Sequence, residues 1–275
     1  MRQEVYIESR NNPAVREYAK LADKKYRSRE KLFLCDGAKL FDEAVNCRAD
    51  IEAVLLLDGK DNPIITRAIE KMKESGAYEN TRVYRVAPPV FEKLNTEKSP
   101  DGVVSVIKHL DNFRKLYKIE RNDAAAYRDE KLMLLYAVRD PGNMGTIVRS
   151  AAAFGFDRLI VSDDCADLYN PRTLRGAMGA LFRMRVDAVS DFASAVQALT
   201  ASGRRVFAAE LRDGAMSSDA LTLCREDCFV IGNEGHGIPA EVSALCTGSV
   251  YIPIAKTSES LNAATAASIL AYLQR

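Results

Sequence analysis

The run Leu132-Met133-Leu134-Leu135-Tyr136-Ala137-Val138 contains no charged residue. A strand that is apolar on both faces must be covered on both faces, and this constrains the chain more than any other feature. Strand, loop and helix alternate after it. A loop over 139–145 leads to a helix over 146–154 closed by Gly155, and a strand follows over 158–162. A helix over 171–181, an extended stretch over 183–186 and a helix over 192–200 come next. Strands over 206–210, 228–231 and 250–252 precede a closing helix over 260–273. Such alternation predicts a parallel sheet with helices on both faces.

The first part of the chain alternates in shorter pieces. Strands are predicted over 32–35, 51–57, 83–86 and 103–107, and helices over 38–47, 64–75 and 88–94. This is enough for a small α/β domain. Residues 108–130 are charge-dense and read as a linker, with a helical stretch around 113–119. The expected division is therefore 1–107, 108–130 and 131–275, which suits a chain of 275 residues.

With 47% hydrophobic and 28% charged residues, the balance is that of a soluble globular protein. No window is apolar enough to cross a bilayer, so no membrane partner is expected. The start Met1-Arg2-Gln3-Glu4 lacks a signal core, which points to the cytoplasm. The net charge of +1 does not announce a nucleic-acid partner, but its distribution is uneven. Between Ala14 and Lys31 there are seven basic residues against three acidic ones. Val15, Tyr18, Ala19 and Ala22 recur there at helical spacing. The segment reads as an amphipathic helix whose cationic face is either merely solvated or binds phosphates.

The six cysteines are scattered and suit reduced thiols. Cys224, Cys228, His236 and Cys246 lack the paired spacing of a zinc site, and two histidines exclude a three-histidine centre. No metal is expected.

In open α/β sheets, ligands bind beyond the carboxyl ends of the strands. Three loops there have unusual content: Asp140-Pro141-Gly142-Asn143-Met144-Gly145, Gly232-Asn233-Glu234-Gly235-His236-Gly237-Ile238-Pro239, and residues 252–262. Singly, each suits ordinary turns and caps. Together with Arg149 they supply a glycine-lined backbone, a cation, a carboxylate, a hydroxyl and amides, a set suited to a nucleotide-like ligand. The G-x-G-x-x-G fingerprint and the phosphate loop are both absent. Asp163 and Asp164 then read as loop acids, not ribose ligands.

The stretch Asp140-Pro-Gly-Asn-Met-Gly-Thr-Ile-Val-Arg149-Ser-Ala-Ala-Ala-Phe-Gly155 resembles the first motif of the SpoU (TrmH-like) RNA ribose methyltransferases. Phe229-Val-Ile-Gly-Asn-Glu-Gly235 with Gly237-Ile-Pro239 resembles the second motif. Ile252-Pro-Ile with Glu259-Ser-Leu-Asn-Ala-Ala-Thr-Ala266 resembles the third. The stretch from Asn170 to Phe182 is also similar. Asn12-Pro13, the Arg27/Arg29 region, Phe33-Leu-Cys-Asp-Gly37 and Pro100-Asp-Gly-Val103 resemble the family's L30e-like RNA-binding domain.

The resemblance implies a SPOUT-type α/β domain, a parallel sheet with a C-terminal deep trefoil knot, preceded by the L30e-like domain. It implies an enzyme that uses S-adenosylmethionine to methylate a ribose 2′-hydroxyl of structured RNA, 23S ribosomal RNA foremost. A transfer-RNA target and a catalytically silent RNA-binding protein are the alternatives. The family enzymes are homodimers. Asn143, Arg149, Glu234, Ser260 and Asn262 match the family's catalytic positions. Gly232, Ile252 and Leu261 match cofactor-binding positions, and Arg27 and Arg29 are expected on RNA phosphates. A free guanidinium is cationic and has no acceptor, so Arg149 is expected to bind phosphate and stabilise the developing oxyanion. Glu234 would orient Arg149 or Asn143. Three departures stand out: Lys256 where the family often has Gly, Ala177 where Ser is common, and Asp101 where Gln is usual.

Overall fold

The computed structural model describes residues 4–96, 99–255, 257–258 and 260–275. In chain order the first elements are β1 (Val5–Ile7), α1 (Pro13–Ala19), α2 (Lys24–Glu30), β2 (Leu32–Asp36), α3 (Ala38–Asn46) and β3 (Ile51–Leu57). Then come α4 (Pro63–Glu74), β4 (Arg82–Val86), α5 (Pro88–Leu94) and β5 (Val103–Lys108). The second series is β6 (Phe113–Leu116), α6 (Arg121–Ala124), β7 (Leu132–Leu135), α7 (Pro141–Ala153), β8 (Arg158–Ser162), α8 (Pro171–Ala177) and β9 (Arg185–Val189). It ends with α9 (Phe192–Ala201), β10 (Val206–Ala209), β11 (Met216–Ser217), β12 (Cys228–Ile231), α10 (Ala240–Ser243), β13 (Gly248–Tyr251) and α11 (Ala263–Leu273).

Helices α1, α4, α7 and α8 open on one device. Asn12, Asn62, Asp140 and Asn170 each accept a hydrogen bond from a backbone N–H of the first turn, and each is followed by proline. The side chain satisfies an orphan donor, and proline has no N–H to orphan.

The chain forms two compact units. The first holds the residues through Asp111 together with Tyr169–Phe182. Its sheet runs β1-β4-β3-β5-β2, with β1, β4 and β3 parallel and β5 antiparallel to both β3 and β2. Val15, Tyr18, Leu55, Val90, Phe91 and Val104 lie in its core. The Tyr169 ring stacks 4.5 Å from Phe33 and 4.2 Å from His109, and its hydroxyl accepts from the Leu110 N–H at 2.8 Å. This aromatic stack fastens 169–182 into the first unit, although the sequence pattern places these residues with the second. Ala177 is fully buried in α8, where a methyl leaves no hydroxyl needing a partner. Asp101 accepts from the Ala38 N–H at 3.2 Å. It thereby caps α3, whose own N-cap is Gly37, so this departure has a structural reason.

The basic segment 14–31 is not one helix. Asp23 is extended, with ψ 131°, and its carboxylate accepts from the Lys25 N–H at 2.8 Å, which starts α2 anew. The cap interrupts the predicted periodicity.

The second unit is built on an eight-stranded parallel sheet in the order β11-β13-β10-β12-β7-β8-β9-β6. Leu132, Leu134, Ile160, Val206, Ala208 and Val230 lie in its core with Phe192, Val196 and Leu199 of α9. The supposed linker contributes to this unit. Residues expected to be helical around 113–119 form strand β6 instead and pair with β9 from Phe113 to Leu116. Arg114 explains why. Its Nε and Nη2 each donate at 2.7 Å to Asp187, which is 0% exposed. A buried carboxylate needs such a partner, and the partner comes from this charge-dense stretch.

Candidate active site

The site begins with a helix that starts earlier than its sequence suggests. Residues 141–145, read above as loop, form the first turn of α7. Asp140 caps that turn by accepting from the Asn143 N–H at 2.9 Å. Asn143 therefore sits on a helix, with its side chain set by a rigid element.

Three stretches far apart in sequence meet there. Asn143 Nδ2 donates to Glu234 Oε1 at 2.9 Å, and Asn262 Nδ2 donates to Asn143 Oδ1 at 3.0 Å. Asn262 also caps α11, accepting from the Ala264 N–H at 2.9 Å. Glu234 is exposed and takes weaker contacts at 3.4 Å from the Arg139 and Asp140 N–H groups. The result is a polar chain, Asn262 to Asn143 to Glu234, in which each amide is used on both sides. Glu234 orients Asn143 in this arrangement.

Asn233 shapes the loop that carries Glu234. Its Oδ1 accepts from the Gly235 and His236 N–H groups at 2.9 and 3.0 Å, and its Nδ2 donates to the Ala137 carbonyl at 2.7 Å. Ala137 has φ 50°, an unfavourable left-handed conformation for a residue with a Cβ, and this bond helps to hold it. A Cβ on Gly232 would lie 2.5 Å from the Gly237 carbonyl carbon, so only glycine lets the turn close on itself. Sequence reasoning gave Asn233 no role, although an Asn that can bond the backbone two residues on is a turn signal.

Arg149 stands apart from the polar chain. It lies six residues beyond Asn143 on α7, about 9 Å along the axis and about 120° around it. It is exposed and has no hydrogen-bond or ion-pair partner among the described residues. Ser260 is likewise exposed and unpartnered among the described residues. Gly232, Ile252 and Leu261 are half-buried. Gly232 follows β12 and Ile252 follows β13, and these strands flank β10. Lys256 and Glu259 lie outside the described residues.

Near the carboxyl ends of β7 and β8, Asp164 pairs with Arg139 at 2.8 Å and accepts from the Ser162 hydroxyl at 2.6 Å. Burial raises its carboxyl pKa, but the hydrogen bonds from Ser162 and Arg139 outweigh this and hold it below the ordinary value.

The two arginines of α2 behave differently. Arg27 is 4% exposed, and its Nη1 donates at 2.7 Å to the carbonyls of Leu21 and Ala22. It closes the turn before α2, and its guanidinium is turned towards the chain's own carbonyls. Arg29 is exposed, lies 4.8 Å from the Tyr26 ring centroid and pairs with Glu30 at 2.6 Å.

Residues 130–272 match the family model described as the SpoU rRNA Methylase family, and residues 12–105 match an MRM3-like substrate binding domain. The chain is 31% identical over 266 residues to the 23S rRNA (guanosine(2553)-2′-O)-methyltransferase RlmP of Bacillus subtilis (strain 168), covering 97% of each. It is 29% identical to the 23S rRNA (uridine(2479)-2′-O)-methyltransferase of Streptomyces viridochromogenes, covering 97% of this chain and 90% of that one. Among solved structures, the AdoMet-bound rRNA methyltransferase from Sinorhizobium meliloti superposes with a TM-score of 0.80 at 25% identity, over 98% of this chain and 96% of that one.

Proposed function

The chain belongs to the SpoU rRNA methylase family, and from that premise we propose that it transfers the methyl group of S-adenosylmethionine to a ribose 2′-hydroxyl of 23S ribosomal RNA. One observation carries the reading. Asn143, Glu234 and Asn262, from three separate stretches, join in one hydrogen-bonded chain, and the helix that holds Asn143 also presents an arginine with no partner among the described residues.

The residues fit the cofactor. A nucleoside with a sulfonium tail needs backbone donors and acceptors for its base and apolar surface for its ring. Gly232, Ile252 and Leu261 offer backbone groups at or beyond the ends of β12 and β13. Leu211 and Ile254, 76% and 37% exposed, follow the neighbouring strands β10 and β13 and offer the apolar surface. Bound there, S-adenosylmethionine supplies an electrophilic methyl group on positive sulfur.

The chain's own residues do the rest by positioning and electrostatics. Arg149 binds the phosphate next to the target ribose and stabilises negative charge on the 2′-oxygen as its proton passes to solvent water and its lone pair takes the methyl group from sulfur, releasing S-adenosylhomocysteine. Glu234 fixes Asn143, and Asn143 with Asn262 orients the incoming sugar. Ser260, exposed ahead of α11, offers that sugar a hydroxyl.

The first unit holds the RNA. Lys24, Lys25 and Arg29 are exposed on α2, with Tyr26 beneath the guanidinium of Arg29. We assign residues 1–107 to this role and 131–275 to methyl transfer. The C-terminal segment forms the deep trefoil knot. Supporting this, the chain crosses β10 between β12 and β13, and α11 then packs on α7 through Ser268–Ser150 at 2.7 Å and Phe154–Tyr272. Two copies pair through α11, whose Ala266, Ile269, Tyr272 and Leu273 form an accessible apolar stripe at helical spacing. We assign the enzyme to the cytoplasm, where 23S ribosomal RNA is found in a bacterium.

The test is transfer of labelled methyl from S-adenosylmethionine to purified 23S ribosomal RNA or transfer RNA. Label on the ribosomal RNA supports the reading, label on transfer RNA alone moves the substrate, and no label with no heat of cofactor binding leaves a silent RNA-binding protein.

A further inference from the structure

We infer that Glu210 is a positioning residue for the cofactor, tying together the two loops that hold it. The inference rests on the assignment of Gly232 and Ile252 to the cofactor site.

Glu210 follows β10, the strand between β12 and β13. Its position is therefore at the carboxyl end of the sheet, between the loop that starts at Gly232 and the loop that starts at Ile252. Its Oε1 accepts from three donors on different pieces of chain. The Ser243 hydroxyl donates at 2.5 Å, the Ser249 hydroxyl at 2.7 Å and Arg212 Nη1 at 3.2 Å. Ser243 ends α10, which begins directly after the Gly232–Pro239 loop. Ser249 lies in β13, three residues before Ile252. Arg212 Nη1 also donates to the Ser243 hydroxyl at 2.8 Å, and the Glu210 N–H continues the ladder to the Val250 carbonyl at 3.0 Å.

The geometry points to a clamp. One carboxylate oxygen accepts from both serine hydroxyls, so the roots of the two loops are held at a fixed separation by a single group. Charge-assisted hydrogen bonds of this length are the strong ones, and three on one oxygen restrain its position more than any one would. Side chains that hold binding groups through such bonds tune affinity without touching the ligand. Glu210 lies 24 residues before Glu234 in sequence and has no hydrogen bond to Asn143, Glu234 or Asn262 among the described residues, so its effect falls on cofactor binding and not on the sugar side.

The experiment measures S-adenosylmethionine affinity by isothermal titration on the full chain, with RNA affinity and thermal midpoint alongside. Glu210→Ala is expected to raise the cofactor Kd about tenfold or more, leave RNA affinity unchanged and raise the KM for cofactor with little change in kcat. Glu210→Gln, which keeps an acceptor oxygen, is expected to recover most of that loss. Ser249→Ala is expected to weaken binding in the wild-type background and add nothing to Glu210→Ala, because it acts through the same oxygen. If Glu210→Ala unfolds at the assay temperature, the Ser249→Ala titration decides the matter. Cofactor affinity within twofold of wild type in folded Glu210→Ala, or in Ser249→Ala where Glu210→Ala does not fold, overturns the inference. Absence of cofactor binding in the wild-type chain overturns instead the assignment on which it rests.

Discussion

The second unit contains two polar networks built on opposite terms. One surrounds Asp187, 0% exposed, which accepts from Arg114, Arg158 and the Tyr127 hydroxyl at 2.7–3.2 Å, while Arg158 is held in turn by Glu130. The other is the chain Asn262, Asn143, Glu234 at the loops, whose carboxylate is exposed and whose nearby arginine has no partner among the described residues. In the first, the charged groups compensate one another around a buried carboxylate. In the second, hydrogen-bonding capacity is left over for something outside the chain. Compensation within the chain therefore sets the groups that hold this fold apart from those we propose to meet a substrate, a distinction that residue type alone does not make.

The comparison can be broken where it predicts the largest effect. Asp187→Ala strands Arg158 in a buried place and should destabilise the protein by about 3–5 kcal/mol, read as a fall in the urea midpoint. Arg149→Ala should do the reverse. It should change stability by less than about 0.5 kcal/mol yet lower kcat by about 10²–10³-fold, as loss of an oxyanion donor does. A stability loss matching that of Asp187→Ala would erase the distinction. Glu234→Gln removes a charged acceptor from Asn143 and should slow transfer about tenfold, with the thermal midpoint nearly unchanged.

In the first unit burial, not ion pairing, separates two nearby arginines, Arg27 at 4% exposed and Arg29 on the surface. Arg29→Ala should flatten the salt dependence of RNA binding by about one unit of slope. Arg27→Ala should leave that slope alone and cost about 1–3 kcal/mol of stability through the Leu21 and Ala22 carbonyls. The smallest effect is a pH dependence. Burial first, then Asp187, pushes the Tyr127 hydroxyl up to about 12 from its ordinary 10.0. The folded state thus favours the neutral phenol. Its contribution to stability is complete below about pH 10 and is lost as pH rises from 10 towards 12. Tyr127→Phe should remove that part of the alkaline decline in the urea midpoint.

The sequence was most informative where local pattern and covering agree. The apolar run from Leu132 demanded a two-sided cover, and β7 lies at the middle of the parallel sheet. The site residues Asn143, Glu234 and Asn262 were legible as members of a motif set, but the order of their bonds was not, since it depends on a cap at Asp140 that turns a loop into helix. Arg27 and Arg29 are indistinguishable by composition. Only the break at Asp23 turns Arg27 inward, and a periodic pattern cannot register a break made by one side-chain hydrogen bond. Strand β6 was hidden because its charged residues answer a buried Asp187 73 residues away. Glu210 was silent for a similar reason, its serine partners lying 33 and 39 residues further on.

Methylation at a sugar oxygen is read out by alkaline hydrolysis of the product, because a methylated 2′-oxygen can no longer attack the adjoining phosphodiester. Ribosomal RNA labelled by the wild-type protein from methyl-tritiated S-adenosylmethionine should give an alkali-resistant dinucleotide carrying the label, and Arg149→Ala should give almost none. Label released entirely in mononucleotides, with the methyl group on a base, would contradict the account.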